Sequence, residues 1–127
     1  MLVNLTNHPS TRWSAEQMDA ATKTYGRVVD LPHPTIDPAA DEAEVFQVAK
    51  SFVERAKSII YGPNDQAHEA NAVHLMGEAS FTAAFLVEWS DPCTPGPWCP
   101  LVVSTTRRQD DGKFTFVQFR TLPSILG

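Results

Sequence analysis

The chain lacks the features that mark several large classes of protein. Its 127 residues include only two cysteines, and acidic side chains outnumber basic ones by 15 to 10, which gives a net charge of −5. Proteins that bind long DNA or RNA usually carry an excess of basic residues, because the neutralisation of phosphate charges supplies much of the binding affinity. No apolar run approaches the about 20 residues that a transmembrane helix needs. We therefore expect neither long nucleic acid nor a membrane among its partners.

The two cysteines, Cys93 and Cys99, lie in a Pro-rich segment at 91–100. Two thiols cannot complete a four-ligand zinc site, and no pair of histidines stands nearby at ligand spacing, so we predict no metal. A disulfide between them is possible, although reduced thiols are favoured in a cytosolic chain. Met1 leads straight into a strand-like run without a basic start or a cleavage site. We therefore expect no signal peptide and a cytoplasmic location.

The pattern of apolar residues predicts one α/β domain over 1–127. Strands are expected at 2–6, 27–31, 72–76, 101–105 and 114–120, and helices at about 14–25, 39–60 and 79–89. The order β-α-β-α-β-α-β-β is typical of a Rossmann-like three-layer sandwich. Its mainly parallel sheet would have about five strands, with an antiparallel strand at the edge.

Local signals predict where several of these elements begin and end. Ser14 and Gln17 form a capping box for the first helix, and Gly26 follows its end. Asp37 is the predicted N-cap of the long second helix, with Pro38 at its first position and a break at 62–65. A hairpin turn is expected at 110–112, before the last strand, and the tail at 122–127 is expected to fray or to pack on the surface.

Three short polar loops, at 7–10, 77–80 and 105–108, each follow directly after an apolar strand-like run. If those runs are parallel strands, all three loops emerge at the carboxyl edge of the sheet, where open α/β sheets bind ligands. Hydroxyls, a glycine turn, a helix start and paired arginines together indicate a ligand that carries phosphate. No dinucleotide fingerprint or Walker loop is present, and we predict no cofactor.

The first loop offers groups able to contact a nucleotide. His8 could act as a general acid or base, Arg12 could bind phosphate, and Trp13 could stack on a base. The structural alternatives are a loop-orienting hydrogen bond for His8 and a hydrophobic staple before the helix for Trp13.

The second and third loops add further polar candidates. Gly77 allows close approach of the backbone, and the hydroxyls of Ser80 and Thr82 could hold a phosphate oxygen, although Ser80 could equally be a plain N-cap. Glu78 would repel an anion and suits a hydroxyl or an adenine amino group. The third loop supplies two hydroxyls and two guanidiniums, of which one is expected to face solvent: Thr105, Thr106, Arg107 and Arg108. His33, His68 and His74 are weaker candidates, and His74 is expected to be a satisfied core histidine.

Four short patches resemble the small stand-alone CRISPR-associated Rossmann-fold (CARF-like) proteins of type III CRISPR systems. They are Asn4 to Ser10, Leu31-Pro32 with Ile36-Asp37-Pro38, Val73 to Glu78, and Ser104 to Arg107. The resemblance implies a homodimer in which the carboxyl edges of two sheets share a pocket for cyclic oligoadenylate. Cyclic tetra-adenylate is the ring that we expect. It also implies a ring nuclease, which cleaves this messenger and switches the response off. The Pro- and Cys-rich stretch at 91–100 departs from the short turn expected in this family.

Carried over by position, the resemblance implies ligand contacts from nine residues: Asn7, His8, Ser10, Gly77, Glu78, Ser80, Thr105, Thr106 and Arg107. In the implied reaction each ribose 2′-hydroxyl attacks its own 3′-phosphate in line, without a metal. Arg107 or Arg12 would stabilise the phosphorane, and His8 would assist proton transfer. The alternatives are a sensor or sponge that binds without turnover, a nucleoside enzyme that uses Glu78, and a domain whose loops bind protein.

Overall fold

The computed structural model describes residues 1–62, 70–94 and 98–123. Five strands and three α-helices alternate along these ranges, with one turn of 3₁₀ helix at Ser10–Arg12 after the first strand. The strands are β1 Leu2–Leu5, β2 Val28–Asp30, β3 Ala72–Leu75, β4 Leu101–Arg108 and β5 Phe114–Thr121. The helices are α1 Ala15–Tyr25, α2 Glu42–Ile60 and α3 Ala79–Ser90.

The strands form one sheet in the order β2-β1-β3-β4-β5. The first four strands pair in parallel, and β5 pairs antiparallel with β4 at the edge. The predicted α/β class and the antiparallel edge strand are therefore confirmed. Because β1, β3 and β4 run in the same direction, the polar segments at 7–10, 77–80 and 105–108 lie toward one edge of the sheet.

The two faces of the sheet carry different cores, because successive side chains along a strand point to opposite faces. Val3, Leu5 and Leu75 face α2 and α3 in the larger cluster, which contains Phe81, Phe85 and other buried side chains of those helices. The opposite face carries Leu2, Ala72 and Val102, which pack against Ala21 of α1. This second cluster is small, because α1 covers only part of this face of the sheet.

The predicted N-cap and the predicted glycine stop of α1 are confirmed. The side chain of Ser14 accepts a hydrogen bond from the Gln17 amide at 3.2 Å, and Gly26 follows the helix with a φ of 85°. The predicted start of α2 is wrong. Asp37 accepts from the Ala39 amide in a separate turn, while Asp41 is the N-cap and accepts from the Glu44 amide at 2.8 Å. Two aspartates four residues apart offer the same capping chemistry, and the apolar stripe is continuous only from the second.

The predicted start of α3 at Ala79 is confirmed, and its N-cap is Glu78, whose carboxylate accepts from the amides of Ser80 and Phe81. The alternative of Ser80 as a plain N-cap is therefore wrong, and one further boundary differs from the prediction. Strand β4 extends to Arg108, three residues beyond the predicted end at Thr105. The extension pairs with the start of β5 as a hairpin arm whose turn contains Gly112 at a φ of 83°, and the register shifts between Thr105 and Thr106.

Both cysteines are free thiols: Cys93 is exposed, and Cys99 is buried in the larger core. Burial raises the pKa of Cys99 to about 11, which leaves this thiol inert at neutral pH. The predictions for His68, most of the break after α2 and the last four residues of the tail lie outside the described residues. Within those residues, no helix is long and apolar enough to cross a membrane.

Candidate functional site

A cleft of about 770 Å³ opens at the carboxyl edge of the sheet, on the face that carries α1. Four side chains from the ends of three parallel strands form its floor: Thr6, His74, Met76 and Ser104. The start of α1 forms one wall with Arg12, Trp13, Ser14, Glu16 and Gln17. The hairpin arm forms the opposite wall with Thr106, Phe114, Thr115 and Phe116. Asn7, His8 and Gly77 complete the cleft, which we call the edge cleft.

The fold creates this cleft because α1 does not reach across its face of the sheet. The apolar row formed by Leu2, Ala72 and Val102 lies beneath α1. Two residues further along β1 and β3 the side chains are polar, namely Asn4 and His74, and both are only 2% exposed. The register pairs Asn4 with Asp30 on one side and with His74 on the other. A row of polar side chains thus crosses three strands beneath the edge cleft.

Hydrogen bonds connect this polar row continuously. Asn4 Nδ2 donates to Asp30 Oδ1 and to the His8 carbonyl oxygen, both at 2.9 Å. Asn4 Oδ1 lies 3.0 Å from His74 Nδ1, and His74 Nε2 lies 3.1 Å from Ser104 Oγ. Burial, and secondarily the charge of His8, lower the pKa of His74 to about 4. The imidazole is therefore neutral at physiological pH.

In the first loop, a backbone carbonyl holds the loop in place, while two side chains are exposed to solvent. The His8 carbonyl accepts from Asn4 Nδ2 and, at 3.2 Å, from the Trp13 indole Nε1, which ties the loop to the sheet and to the start of α1. The His8 and Arg12 side chains are exposed and line the edge cleft. Trp13 packs edge-on against His74 with the ring centroids 5.5 Å apart. The indole therefore covers the polar row.

Ser10 lies outside the residues that line the edge cleft and is bound to Asp30. Its amide and its hydroxyl both donate to the Asp30 carboxylate, at 3.1 and 2.8 Å. Burial by itself would raise the pKa of Asp30, but the hydrogen bonds from Asn4 and Ser10 hold it below its usual value. The ionised Asp30 thus fixes the first loop, and the predicted ligand contact of Ser10 would compete with this bond.

The second loop contributes one residue to the edge cleft, Gly77. Its Cα lies so close to the imidazole of His33 that an added Cβ would overlap that ring. The His33 ring in turn packs edge-on against Phe81, with centroids 4.9 Å apart. Gly77 is therefore required for packing between the loop and the segment after β2, in addition to any role in the cleft.

The remaining groups of the second loop bond to one another. The Ser80 hydroxyl lies 2.6 Å from a Glu78 oxygen, and Thr82 Oγ1 donates to the Glu78 carbonyl at 2.9 Å. The hydrogen bonds that the Glu78 carboxylate accepts, first from the Ser80 hydroxyl and then from the Phe81 and Ser80 amides, lower the pKa of Glu78. Glu78, Ser80 and Thr82 are thus occupied in capping α3, and none of them lines the edge cleft.

The third loop is not a loop but the continuation of β4. Alternation along the strand places Ser104 and Thr106 in the edge cleft. Thr105 instead donates to the Gln118 carbonyl across the hairpin arm, at 3.3 Å. The guanidiniums of Arg107 and Arg108 are exposed and do not line the edge cleft, so among the predicted arginines this cleft contains Arg12.

Sequence reasoning missed four residues that define this site: Asn4, Ser104, Phe114 and Phe116. A polar residue inside a buried four-residue strand was a usable signal for Asn4, because buried polar groups need partners. Phe114 and Phe116 are separated by one residue, so they share a face of the hairpin arm, and Phe114 is 68% exposed. Two aromatic rings on a solvent-facing surface beside a turn were the signal for the second wall.

One comparison with known proteins gives a match. The model of the uncharacterized protein MJ1673 family matches residues 1–120. The chain belongs to this family. The matched range covers the three helices and all five strands except the last residue of β5, and it includes all the residues that line the edge cleft. No curated protein and no solved structure matches the chain. The edge cleft of this MJ1673-family member presents an imidazole, a guanidinium, several hydroxyls and two phenyl rings.

Proposed function

We propose that the edge cleft binds and cleaves a cyclic oligoadenylate, as the resemblance of the strand-end patches to CARF-like ring nucleases implies. The observation that carries the proposal is the combination of groups in one cleft. His8 and Arg12 stand on one side, and the rings of Phe114 and Phe116 stand on the other, above a polar floor. Arginine suits phosphate, and exposed aromatic rings suit unpaired bases, which bind single-stranded RNA chiefly by stacking.

Each group then has a role in an in-line attack by the ribose 2′-hydroxyl. Phe114 and Phe116 hold adenine, and Arg12 stabilises the charge that develops on the phosphorane. His8, at the rim of the cleft, gives a proton to the departing 5′-oxygen. The attack forms a 2′,3′-cyclic phosphate, and the bond to the 5′-oxygen breaks without a water molecule or a metal.

The proposal includes a second copy of the chain. A volume of about 770 Å³ lies within the range of single small-molecule pockets, whereas a ring of four nucleotides is larger. A symmetric dimer with two facing clefts would accommodate half of the ring in each copy. It would also double the number of Arg12 side chains around the phosphates of the ligand, although the chain as a whole is acidic.

Incubation of the purified protein with cyclic tri-, tetra- and hexa-adenylate in EDTA tests this function. We expect one ring to become linear species that end in a 2′,3′-cyclic phosphate, detected by liquid chromatography and mass spectrometry. Tight binding without any product would indicate the sensor alternative. A protein that neither binds nor cleaves any of the three rings would refute the proposal.

Variants of one arginine and one histidine separate binding from chemistry. Arg12→Ala should weaken binding of the cleaved ring at least tenfold, because it removes a phosphate partner. His8→Ala should slow cleavage more than it weakens binding. Arg55→Ala is the matched control, since Arg55 stacks on Phe52 of α2, at 4.5 Å from the ring centroid, far from the cleft. Equal effects of Arg12→Ala and Arg55→Ala would exclude a role for Arg12.

A further inference from the structure

The hydrogen bonds of Asn4 fix the orientation of its buried side-chain amide. Both partners of Nδ2, the His8 carbonyl and the Asp30 carboxylate, can only accept hydrogen bonds. The amide nitrogen must therefore face them, and the amide oxygen faces His74 Nδ1 at 3.0 Å. An oxygen at this position can only accept, so Nδ1 carries the proton of the neutral imidazole.

This tautomer determines the direction of the next hydrogen bond. With its proton on Nδ1, His74 presents the bare lone pair of Nε2 to Ser104 Oγ, 3.1 Å away. The hydroxyl therefore donates its single proton to His74. Met76 Sδ also lies 3.2 Å from Ser104 Oγ, but a thioether is a much weaker acceptor than an imidazole nitrogen. Toward the edge cleft, Ser104 then offers only oxygen lone pairs.

The hydrogen bonds thus connect a hydroxyl (Ser104), a base (His74) and a group that orients the base (Asn4). Asp30 in turn holds Asn4 in place. This is one of the arrangements by which enzymes withdraw a proton from a hydroxyl. His74 itself is 2% exposed, whereas Ser104 is half-buried and lines the edge cleft. Asn4 Oδ1 occupies Nδ1 of His74 and Ser104 Oγ occupies Nε2, so a substrate in the cleft meets this base through the serine hydroxyl.

We propose that Ser104 accepts the proton of the attacking hydroxyl in the edge cleft and passes its own proton to His74, which Asn4 orients. The inference rests on the proposed function, since the attacking group is then the ribose 2′-hydroxyl. Ser104 is the catalytic residue that touches the substrate, and His74 and Asn4 are positioning residues behind it. No group given a role above, His8 included, supplies this base.

The proton balance of the step is complete. The 2′-hydroxyl proton moves to Ser104 Oγ, and the Ser104 proton moves to His74 Nε2. The 2′-oxygen forms a bond to phosphorus, and the bond to the 5′-oxygen breaks as that oxygen takes a proton from His8. The imidazolium of His74 keeps its Nδ1 bond to Asn4 Oδ1 and returns the proton to Ser104, which releases it to water once the product leaves.

Single-turnover cleavage of cyclic tetra-adenylate tests this assignment, with binding measured separately on a ring that carries 2′-O-methyl groups. Ser104→Ala should lower the cleavage rate about a hundredfold, the lower end of what general-base catalysis contributes. It should leave binding of the methylated ring within threefold, since that ring has no 2′-hydroxyl proton to donate. Ser58→Ala, at an exposed serine of α2 that bonds to the Glu54 carbonyl, is the matched control.

A pH profile tests the role of His74, which acts through Ser104. The titratable group that acts on His74 is His8, while Trp13 and Phe119 pack against its ring. In the wild type the single-turnover rate should fall as the pH is lowered toward 4, because protonated His74 cannot accept the serine proton. His74→Gln should be slow and should lose this acid limb, whereas loss of structure alone would leave the shape of the profile unchanged.

Three outcomes separate the two proposals. A slow Ser104→Ala variant with retained binding, together with a lost acid limb in His74→Gln, supports both. Wild-type rates in Ser104→Ala would overturn the role of Ser104 and leave the ring nuclease standing. A wild-type protein that cleaves no ring would overturn the nuclease, and the proton relay with it.

Discussion

The substitution Asn4→Asp perturbs the polar row at its centre while preserving the shape of the side chain. Asn4 Nδ2 makes two hydrogen bonds of 2.9 Å, to the His8 carbonyl and to Asp30. An aspartate places an oxygen at the position of Nδ2, so both bonds are lost. That oxygen then faces two other acceptors, the His8 carbonyl and the Asp30 carboxylate. The site is 2% exposed, and one of the two acceptors is already an ionised carboxylate.

The expected cost follows from this geometry. An uncompensated charge in a buried hydrogen-bonded network typically destabilises a protein by about 3–5 kcal/mol. Each kcal/mol lowers the melting temperature of a domain of this size by about 4 °C. Asn4→Asp should therefore melt roughly 12–20 °C below the wild type at pH 7. Because a protonated aspartate regains one donor, the difference should shrink as the pH is lowered.

Thermal unfolding followed by circular dichroism measures this effect. Gln47→Glu is the matched control, since it makes the same amide-to-acid change at an exposed position of α2 and should shift the free energy of unfolding by at most about 0.5 kcal/mol. A melting temperature for Asn4→Asp within 3 °C of that control would refute the description of the polar row as a buried, fully bonded network.

Two further predictions concern His74 and Gly77. The pKa of His74 is about 4 in the folded chain against an ordinary 6.5, so the unfolded chain binds more protons between these values. The free energy of unfolding should fall by roughly 3 kcal/mol from this source as the pH drops from 6.5 to 4, and urea titrations of His74→Gln should lack that part of the decline. Gly77→Ala should cost about 1–3 kcal/mol, because the new Cβ overlaps the His33 imidazole. The double variant with His33→Ala should recover most of this loss, and additive losses in the same titrations would contradict the stated contact.

The class of the fold and the shared edge could be predicted because they depend on long-range periodicity. Strands at 2–6, 72–76 and 101–105 were predicted to end at one edge, and the parallel pairing of β1, β3 and β4 places them there. The N-cap at Ser14 was predictable because its signal is local in sequence. Local signals did not suffice for the start of α2, since nothing local distinguishes Asp37 from Asp41, two aspartates of equal capping ability.

The composition of the site was less predictable, because it depends on which face each side chain takes. Thr105 and Thr106 are adjacent in sequence, yet one bonds across the hairpin arm and the other lines the edge cleft. The extension of β4 by three residues decided this division, and it also carried Arg107 away from the cleft. Contacts such as that of His74 with Ser104 join residues 30 positions apart, and no local pattern records them.

The most direct test of the central claim is to map the ligand on the protein by NMR. Titration of ¹⁵N-labelled protein with 2′-O-methylated cyclic tetra-adenylate should shift the Trp13 indole and the amides of His8, Gly77 and Phe116, which belong to the edge cleft. Gly62, which follows α2 on the opposite face, should remain unchanged. Shifts confined to α2 and α3, or no shifts at millimolar ligand, would contradict the assignment of the edge cleft as a site for cyclic oligoadenylate.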